Sequence, residues 1–272
     1  MNKYELLALA KQKLKDHHLD LKLADYLFRN LYSFDKENVT TDEWQLYNQI
    51  LDKILNGIPY QYAVGKVNFY GLEFKVNNHV LIPRFETEEL VYYTIQYISK
   101  YFNNKATLVD IGTGSGIIAI TLKKNIPNLT VYATDISINA LEIAKINANN
   151  LNVDINFLAG DMLAPIKDLK FDIIISNPPY LSFNQIIDDI VIKNEPHIAL
   201  YGGNDGLKYY RQLFKEVKAI LNERSLICLE ISEEIVTGLK SLLEEYFKDT
   251  KYEFKKDMAG RTRMLFIFNN LD

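Results

Sequence analysis

The stretch "TLVDIGTGSGIIAITLKKN", residues 107–125, reads as a buried strand, a glycine turn and a helix. Gly112, Gly114 and Gly116 let the main chain approach a ligand closely, and the helix that follows offers free N–H groups. A tight strand-to-helix turn needs glycine for structural reasons too, so the turn alone leaves both readings open. Its spacing narrows them. The dinucleotide fingerprint G-x-G-x-x-G/A wants Gly or Ala at position 117, where this chain has Ile117. The pattern is instead G-x-G-x-G, with an acid, Asp110, before it.

Outward from this unit, strands and helices alternate. "TVYATD", "INFLAG", "FDIIIS" and "SLICLEI" follow as strands, and "SINALEIAKINANN" and "GLKYYRQLFKEVKAIL" as helices. Such alternation implies a mostly parallel sheet wrapped by helices on both faces. "KYEFKKD" and "RTRMLFIFN" have no helix between them and predict an antiparallel hairpin at the sheet edge. In front of the sheet, "PRFETEELVYYTIQYISKYF" starts as a helix with acids in its first turn, where the helix dipole favours them. Residues 1–58 read as a small helical domain. Leu23, Ala24, Leu27, Phe28 and Leu31 recur with helical period, and Thr40 and Glu43 have capping-box spacing at the start of a helix that Asn56-Gly57 closes. Between them, 59–83 predicts a β-hairpin linker, since Leu72, Phe74 and Val76 alternate with polar residues and Asn77-Asn78 offers a turn before "HVLI". The sheet domain then spans 84–272.

Thirty-one Lys and Arg against 35 Asp and Glu leave a net charge of −4, which disfavours a broad nucleic-acid footprint. No signal peptide and no run of membrane-spanning length is evident. The one cysteine, Cys228, lies in the apolar run "LICLEI" and reads as a small core hydrophobe, so the cytoplasm is the expected compartment. Four scattered histidines lack ligand spacing, and no metal is expected. Neither is a membrane partner, and a monomer is expected.

Past the glycine turn comes Asp135, at the end of "TVYATD". A carboxylate at the tip of a second strand can accept both hydroxyls of a ribose, although a helix cap or a solvated acid is the alternative. Together, turn and acid favour an adenosine-containing ligand without a pyrophosphate, a description S-adenosylmethionine fits. The cofactor set is then Gly112, Thr113, Gly114, Ser115, Gly116 and Asp135, with Asp161 and Met162 flanking the adenine. In the same sheet "FDIIIS" runs into Asn177-Pro178-Pro179-Tyr180, facing the same crevice. Prolines cannot continue the ladder, so they stiffen the exit and leave carbonyls available. Those carbonyls and the Asn177 oxygen can grip an N–H₂ group, and Tyr180 offers a flat face.

That set suits methyl transfer to a planar nitrogen. Two acceptors hold the protons of a delocalised amine or amide and turn its lone pair toward the methyl donor. They strengthen as positive charge develops on nitrogen. Alignment of the reactants can supply about 7–11 kcal/mol.

With these residues assembled, the chain resembles the HemK/PrmC family of protein-(glutamine-N5) methyltransferases that act on peptide chain release factors. The resemblance rests on "GIPYQYAVGKVNFYGLEFKV", "VLIPRFETEEL", "VDIGTGSGIIAI", "ATDISINALEIAKINA", "IISNPPY", "EPHIALYGGNDGLKYY" and "DMAGRTR". It implies a Rossmann-like class I S-adenosylmethionine-dependent methyltransferase domain, with a seven-stranded, mostly parallel sheet and an antiparallel edge strand. It implies that Asn177 binds the cofactor along with Gly112 to Gly116 and Asp135, that Asn177, Pro178 and Tyr180 are catalytic, and that Asn177 to Tyr180 hold the glutamine of the Gly-Gly-Gln tip of class-1 release factors. S-adenosylhomocysteine would be the product, and the N-terminal helices would dock the protein substrate. Phe85 stands where the family usually has Pro, and Asn194 where a Tyr is common. The nearest alternative is an amino-methyltransferase acting on adenine or guanine in nucleic acid, which would use the same "NPPY". A nicotinamide oxidoreductase is disfavoured by Ile117.

Overall fold

The computed structural model describes residues 1–33 and 35–271. Contacts divide it into two units, residues 1–66 with 188–194, and residues 67–187 with 195–272.

The first unit holds α1 (Lys3–Asp16), α2 (Lys22–Leu31), α3 (Thr41–Leu55) and the short α4 (Tyr60–Val64). The spacing of Thr40 and Glu43 does what it promised: each side chain accepts from the other's main-chain N–H at the start of α3. Leu6, Leu14, Leu27, Phe28, Tyr47 and Leu51 are buried together as its core. The buried Tyr47 hydroxyl finds the Ala24 carbonyl at 2.9 Å, so its polar end is satisfied.

Residues 59–83 depart from the expected hairpin. They begin with α4, and the hairpin is β1 (Lys66–Phe69) with β2 (Leu72–Lys75), turned by Tyr70-Gly71. Both turn residues have positive φ, 51° and 75°, which is the two-residue loop that matches strand twist. Asn77 does form a turn, bonded to the N–H groups of His79 and Val80, but 79–82 is not a strand.

The second unit continues with α5 (Phe85–Phe102), β3 (Thr107–Ile111), α6 (Ile117–Asn125), β4 (Thr130–Asp135), α7 (Ile138–Asn150), β5 (Asn156–Ala159) and β6 (Phe171–Ser176). After α8 (Asp189–Asn194), which packs within the first unit, come α9 (Lys208–Glu216), β7 (Leu221–Glu230), α10 (Val236–Tyr246), β8 (Lys251–Lys256) and β9 (Thr262–Asn269). Helix α10 lies outside the set expected from sequence. The seven strands run in the order β5-β4-β3-β6-β7-β9-β8, with β9 antiparallel to both neighbours and the β8–β9 hairpin closing one edge.

Alternation along the strands builds two apolar layers. Leu108, Ile173, Ile175, Leu226, Cys228 and Phe266 face one core, while Val109, Ile174, Ile227, Leu229, Leu265 and Ile267 face the other. Each such side chain removed from water contributes about 1.5–3 kcal/mol, so the central strands are the least mobile part of the unit. Strand order reverses direction at β3, with β4 on one side and β6 on the other. The crevice beyond the carboxyl ends of β3 and β6 is therefore where a ligand is expected. No helix of the described residues is long and apolar enough to cross a membrane.

Candidate functional site

At that switch point lies a cleft with about 1060 Å³ of space including its open mouth. Its floor is set by β3 and β6 in register, Ile111 beside Ser176, with the Ser176 hydroxyl donating to the Ile111 carbonyl at 2.6 Å. Gly112, Thr113, Gly114, Ser115, Asp135, Asp161, Met162, Asn177, Pro178 and Pro179 all line it. The structure therefore brings ten of the twelve sequence-predicted site residues to one surface. Gly116 and Tyr180 stand behind it.

The glycine loop is held from below. The N–H groups of Gly112 and Thr113 extend the ladder to the Thr134 carbonyl, and the buried Asn147 of α7 donates to the Ser115 carbonyl at 2.9 Å. All three glycines have positive φ. A Cβ at Gly112 or Gly114 would meet nothing within 4 Å, so both present bare main chain to open space. At Gly116 a Cβ would fall 2.8 Å from Ile120 Cδ1 and 3.1 Å from Ala144 Cβ, so this glycine serves helix packing at the start of α6. Both readings of the loop are thus realised, at different glycines.

Asp110 is fully buried beneath the loop. It accepts from the Thr113 hydroxyl at 2.6 Å and the Ala119 N–H at 3.3 Å, while its Oδ1 has no partner. Burial pushes its carboxyl up to about 7. Asp135 is half-buried at the cleft wall and accepts from the Gly114 and Ser137 N–H groups, both at 2.8 Å. The helix cap of α7 is Ser137, not Asp135. Burial raises the Asp135 carboxyl above its ordinary value, opposed by those main-chain bonds. Each Asp135 oxygen takes one main-chain donor and keeps acceptor capacity, which the two hydroxyls of a vicinal diol can use. Ile111, Ile136 and Met162 supply apolar wall beside it. This donor and acceptor set fits an adenosyl group.

Beyond β6, the pairing ends at Ser176 and the chain enters Asn177-Pro178-Pro179-Tyr180. The Asn177 Nδ2 donates to the Thr87 hydroxyl oxygen at 3.2 Å, and Tyr180 turns its hydroxyl inward, donating to Glu230 Oε1 at 3.3 Å. Burial and the adjacent Glu230 carboxylate raise the Tyr180 phenol well above its ordinary value. Gly202 and Gly206 brace the same segment. The Gly202 N–H donates to the Leu181 carbonyl at 2.8 Å, and Leu181 N–H to the Leu200 carbonyl at 3.0 Å.

Sequence reasoning missed several lining or supporting residues. Arg84, Thr87, Pro196 and Ile198 line the cleft. Glu195, buried, accepts from Arg84 at 2.7 Å and from the Ile82 N–H at 3.0 Å, joining "LIPRFETE" to "EPHIAL". A signal existed for Glu230: an acid closing the apolar run "LICLE" at the carboxyl edge of the sheet. Of the two family departures, Phe85 is the first helical residue of α5, where proline is favoured but an N–H is not needed. Asn194 donates to the Gly57 and Ile190 carbonyls. Among the described residues no cluster of three His, Cys, Asp or Glu could hold a metal ion.

The methyltransferase small domain family matches residues 94–202. A release factor glutamine methyltransferase of Bacillus anthracis is 34% identical over 98% of this chain and 99% of its own length. The protein of the same name from Flavobacterium psychrophilum is 40% identical over 84% of this chain and 81% of its own. Among solved structures, the hMettl16 catalytic domain in complex with MAT2A 3'UTR hairpin 1 has a TM-score of 0.59 at 13% identity, covering 92% of this chain and 91% of that one, a likeness of fold alone. The chain belongs to the release factor glutamine methyltransferase family.

Proposed function

We propose that the protein transfers a methyl group from S-adenosylmethionine to the side-chain amide nitrogen of the glutamine in the Gly-Gly-Gln tip of class-1 release factors. The observation that carries this reading is the Asn177 carboxamide, set beside the glycine loop with its nitrogen committed to Thr87 and its oxygen left for the substrate. S-adenosylmethionine, when bound, supplies a methyl group on a sulfonium sulfur, and the amide nitrogen that takes it gives up one proton.

The chain's own groups do the rest. Gly112 to Gly116 admit the ligand against bare main chain, Asp135 accepts from the ribose hydroxyls, and Asp161 and Met162 border the base. Asn177 Oδ1 and the Pro178 carbonyl accept from the two amide hydrogens, which turns the nitrogen lone pair out of conjugation and toward the methyl group. Pro179 stiffens the exit, and Tyr180 backs the gripping segment from behind the cleft. A neutral amide becomes more acidic as it is alkylated, so acceptors suffice and no strong base is needed. Residues 1–58 are assigned to docking the release factor, 59–83 to linking, and 84–272 to catalysis. A release-factor substrate fits action in the cytoplasm, and the protein is proposed to act as a monomer.

Mass spectrometry of a release factor after incubation with protein and cofactor should find one added methyl on the Gly-Gly-Gln peptide. Asn177→Ala should abolish that transfer while release-factor binding falls far less. Methylation of RNA or DNA alone would overturn the assignment.

A further inference from the structure

Glu230 is the last residue of β7 and is 1% exposed. One oxygen, Oε2, accepts from the Thr87 hydroxyl at 2.6 Å, and the other accepts from Tyr180. Its main-chain carbonyl accepts from the buried Tyr210 hydroxyl at 2.7 Å, which fixes the strand tip itself. Thr87, also 1% exposed, sits in the first turn of α5 and receives the Asn177 Nδ2. Two catalytic-segment side chains, from positions 177 and 180, are therefore tied to one buried acid on a neighbouring strand.

Proton counting gives this chain a direction. When Glu230 is ionised it has no hydrogen to give, and the single Thr87 hydrogen goes to it. The Thr87 oxygen is then an acceptor only, and the one end of the Asn177 carboxamide able to answer it is the N–H₂. Its oxygen must point away from Thr87, toward the cleft. Without that constraint the two ends of the amide are nearly equal in shape, and a flipped Asn177 would offer a donor where the substrate also has donors.

We infer that Glu230 is a positioning residue for methyl transfer, acting through Thr87 to hold the Asn177 amide oxygen toward the substrate and through the Tyr180 hydroxyl to hold that ring. The inference rests on the proposed reaction for its consequence and on the buried chain Glu230–Thr87–Asn177 for its mechanism. Arg263, on β9, contributes positive charge facing the carboxylate, which gives a role to the arginine that closes "DMAGRTR". An isosteric Gln at 230 can accept from only one of Thr87 and Tyr180. Its N–H₂ could donate to Thr87, whose hydrogen would then seek the Asn177 oxygen.

Three variants test it: Thr87→Val, Thr87→Ser and Glu230→Gln, each first checked for cooperative thermal unfolding. Turnover and KM are measured with a release factor, and cofactor affinity by calorimetry. Thr87→Val should lower kcat about 10–100-fold with cofactor affinity unchanged, Thr87→Ser should restore most of it, and Glu230→Gln should fall with Thr87→Val. A purely structural role would lower stability without this serine rescue. The second readout needs no reaction. The Asn177 side-chain N–H₂ resonances, assigned by their loss in Asn177→Asp, should shift or broaden in Thr87→Val and Glu230→Gln and stay in place in Thr87→Ser. Unmoved resonances together with kcat within twofold of wild type would overturn the relay. A wild-type protein that methylates no release factor would instead overturn the proposed reaction, while the resonances still decide the relay.

Discussion

Replacing Gly202 by alanine should separate folding from catalysis. Gly202 lies outside the left-handed region, so alanine meets no backbone penalty there; the obstacle is space. Its Cβ would fall 2.5 Å from the Pro179 carbonyl oxygen and 2.8 Å from that of Gly206. Carbon and carbonyl oxygen approach to about 3.3 Å at closest in proteins, so something must move by about 0.8 Å. Both obstacles are main chain, and neither can swing aside as a side chain would. Overpacking of this kind costs about 1–3 kcal/mol, or roughly 2–12 °C of Tm in a unit of this size. The Pro179 side of the clash belongs to the segment proposed to grip the substrate, and a shift near 1 Å there should lower kcat about 100-fold. Cofactor affinity should hold, because Gly202 is remote from the glycine loop in the hydrogen-bond network. The assay is methyl transfer well below Tm, beside Leu242→Ala, which empties a core position on α10 at about 2–5 kcal/mol without touching the site. If Gly202→Ala kept kcat within twofold while Leu242→Ala lost as much stability, the close approach at Gly202 would not be what seats Pro179 and Tyr180.

Asp135→Ala removes an acceptor from the Gly114 and Ser137 N–H groups as well as from the ligand, and should weaken cofactor binding roughly 10–100-fold; unchanged affinity by calorimetry would refute its ribose role. Arg84→Ala leaves Glu195, whose side chain is 2% exposed, without its cation. Because Arg84 itself is one-third exposed, the loss should sit near the low end for a broken buried pair, about 3 kcal/mol by urea denaturation, and a loss under 0.5 kcal/mol would show the pair to be solvated. Burial raises the Asp110 and Glu230 carboxyls to about 7 in the folded state, so the folded chain keeps protons that the unfolded chain has released. That stability is fully present below about pH 4 and is lost as pH rises through about 7, so Tm should be higher at pH 6 than at pH 8 and Asp110→Asn should flatten the difference. Asp205, held down to about 2 by Arg211, titrates outside that window.

Much of the sheet was legible because its signals are local. Each strand is an unbroken apolar run, each of α6, α7 and α9 follows a turn, and "NPPY" stops its strand by missing N–H groups alone. The hairpin was misplaced for an equally local reason. Alternation at Leu72, Phe74 and Val76 is real, but Asn77-Asn78 looked a better turn than Tyr70-Gly71, because Tyr70 gives no hint of its positive φ. Helix α10 escaped because "EEIVTGLKSLLEEYF" carries a glycine inside and no clean stop before "KYEFKKD". The glycine loop, Asp135 and Asn177 were legible as types at spacings. Thr87, Glu195 and Glu230 were not, since each works through partners 90 or more positions away: Asn177 for Thr87, Arg84 for Glu195, Thr87 for Glu230.

Those long-range partners expose a common device. Asp110, Glu195 and Glu230 are all nearly inaccessible, and none is placed to act on a substrate. Each receives donors from two groups: Thr113 and Ala119, Ile82 and Arg84, Thr87 and Tyr180. An ionised carboxylate suits this work because it only accepts, and at Glu195 and Glu230 each of its two oxygens takes a donor. Burying it costs free energy, which is why such acids are rare in ordinary cores. Here the cost falls where loops, rather than strands, must present atoms to within a fraction of an ångström. The glycine loop, the entry of α5 and the exit of β6 are each fastened by one acid. At Glu195 and Glu230, where each oxygen takes a donor, an amide of the same shape would face a donor with a donor on one side, so Gln there should disturb the site more than its nearly unchanged volume suggests.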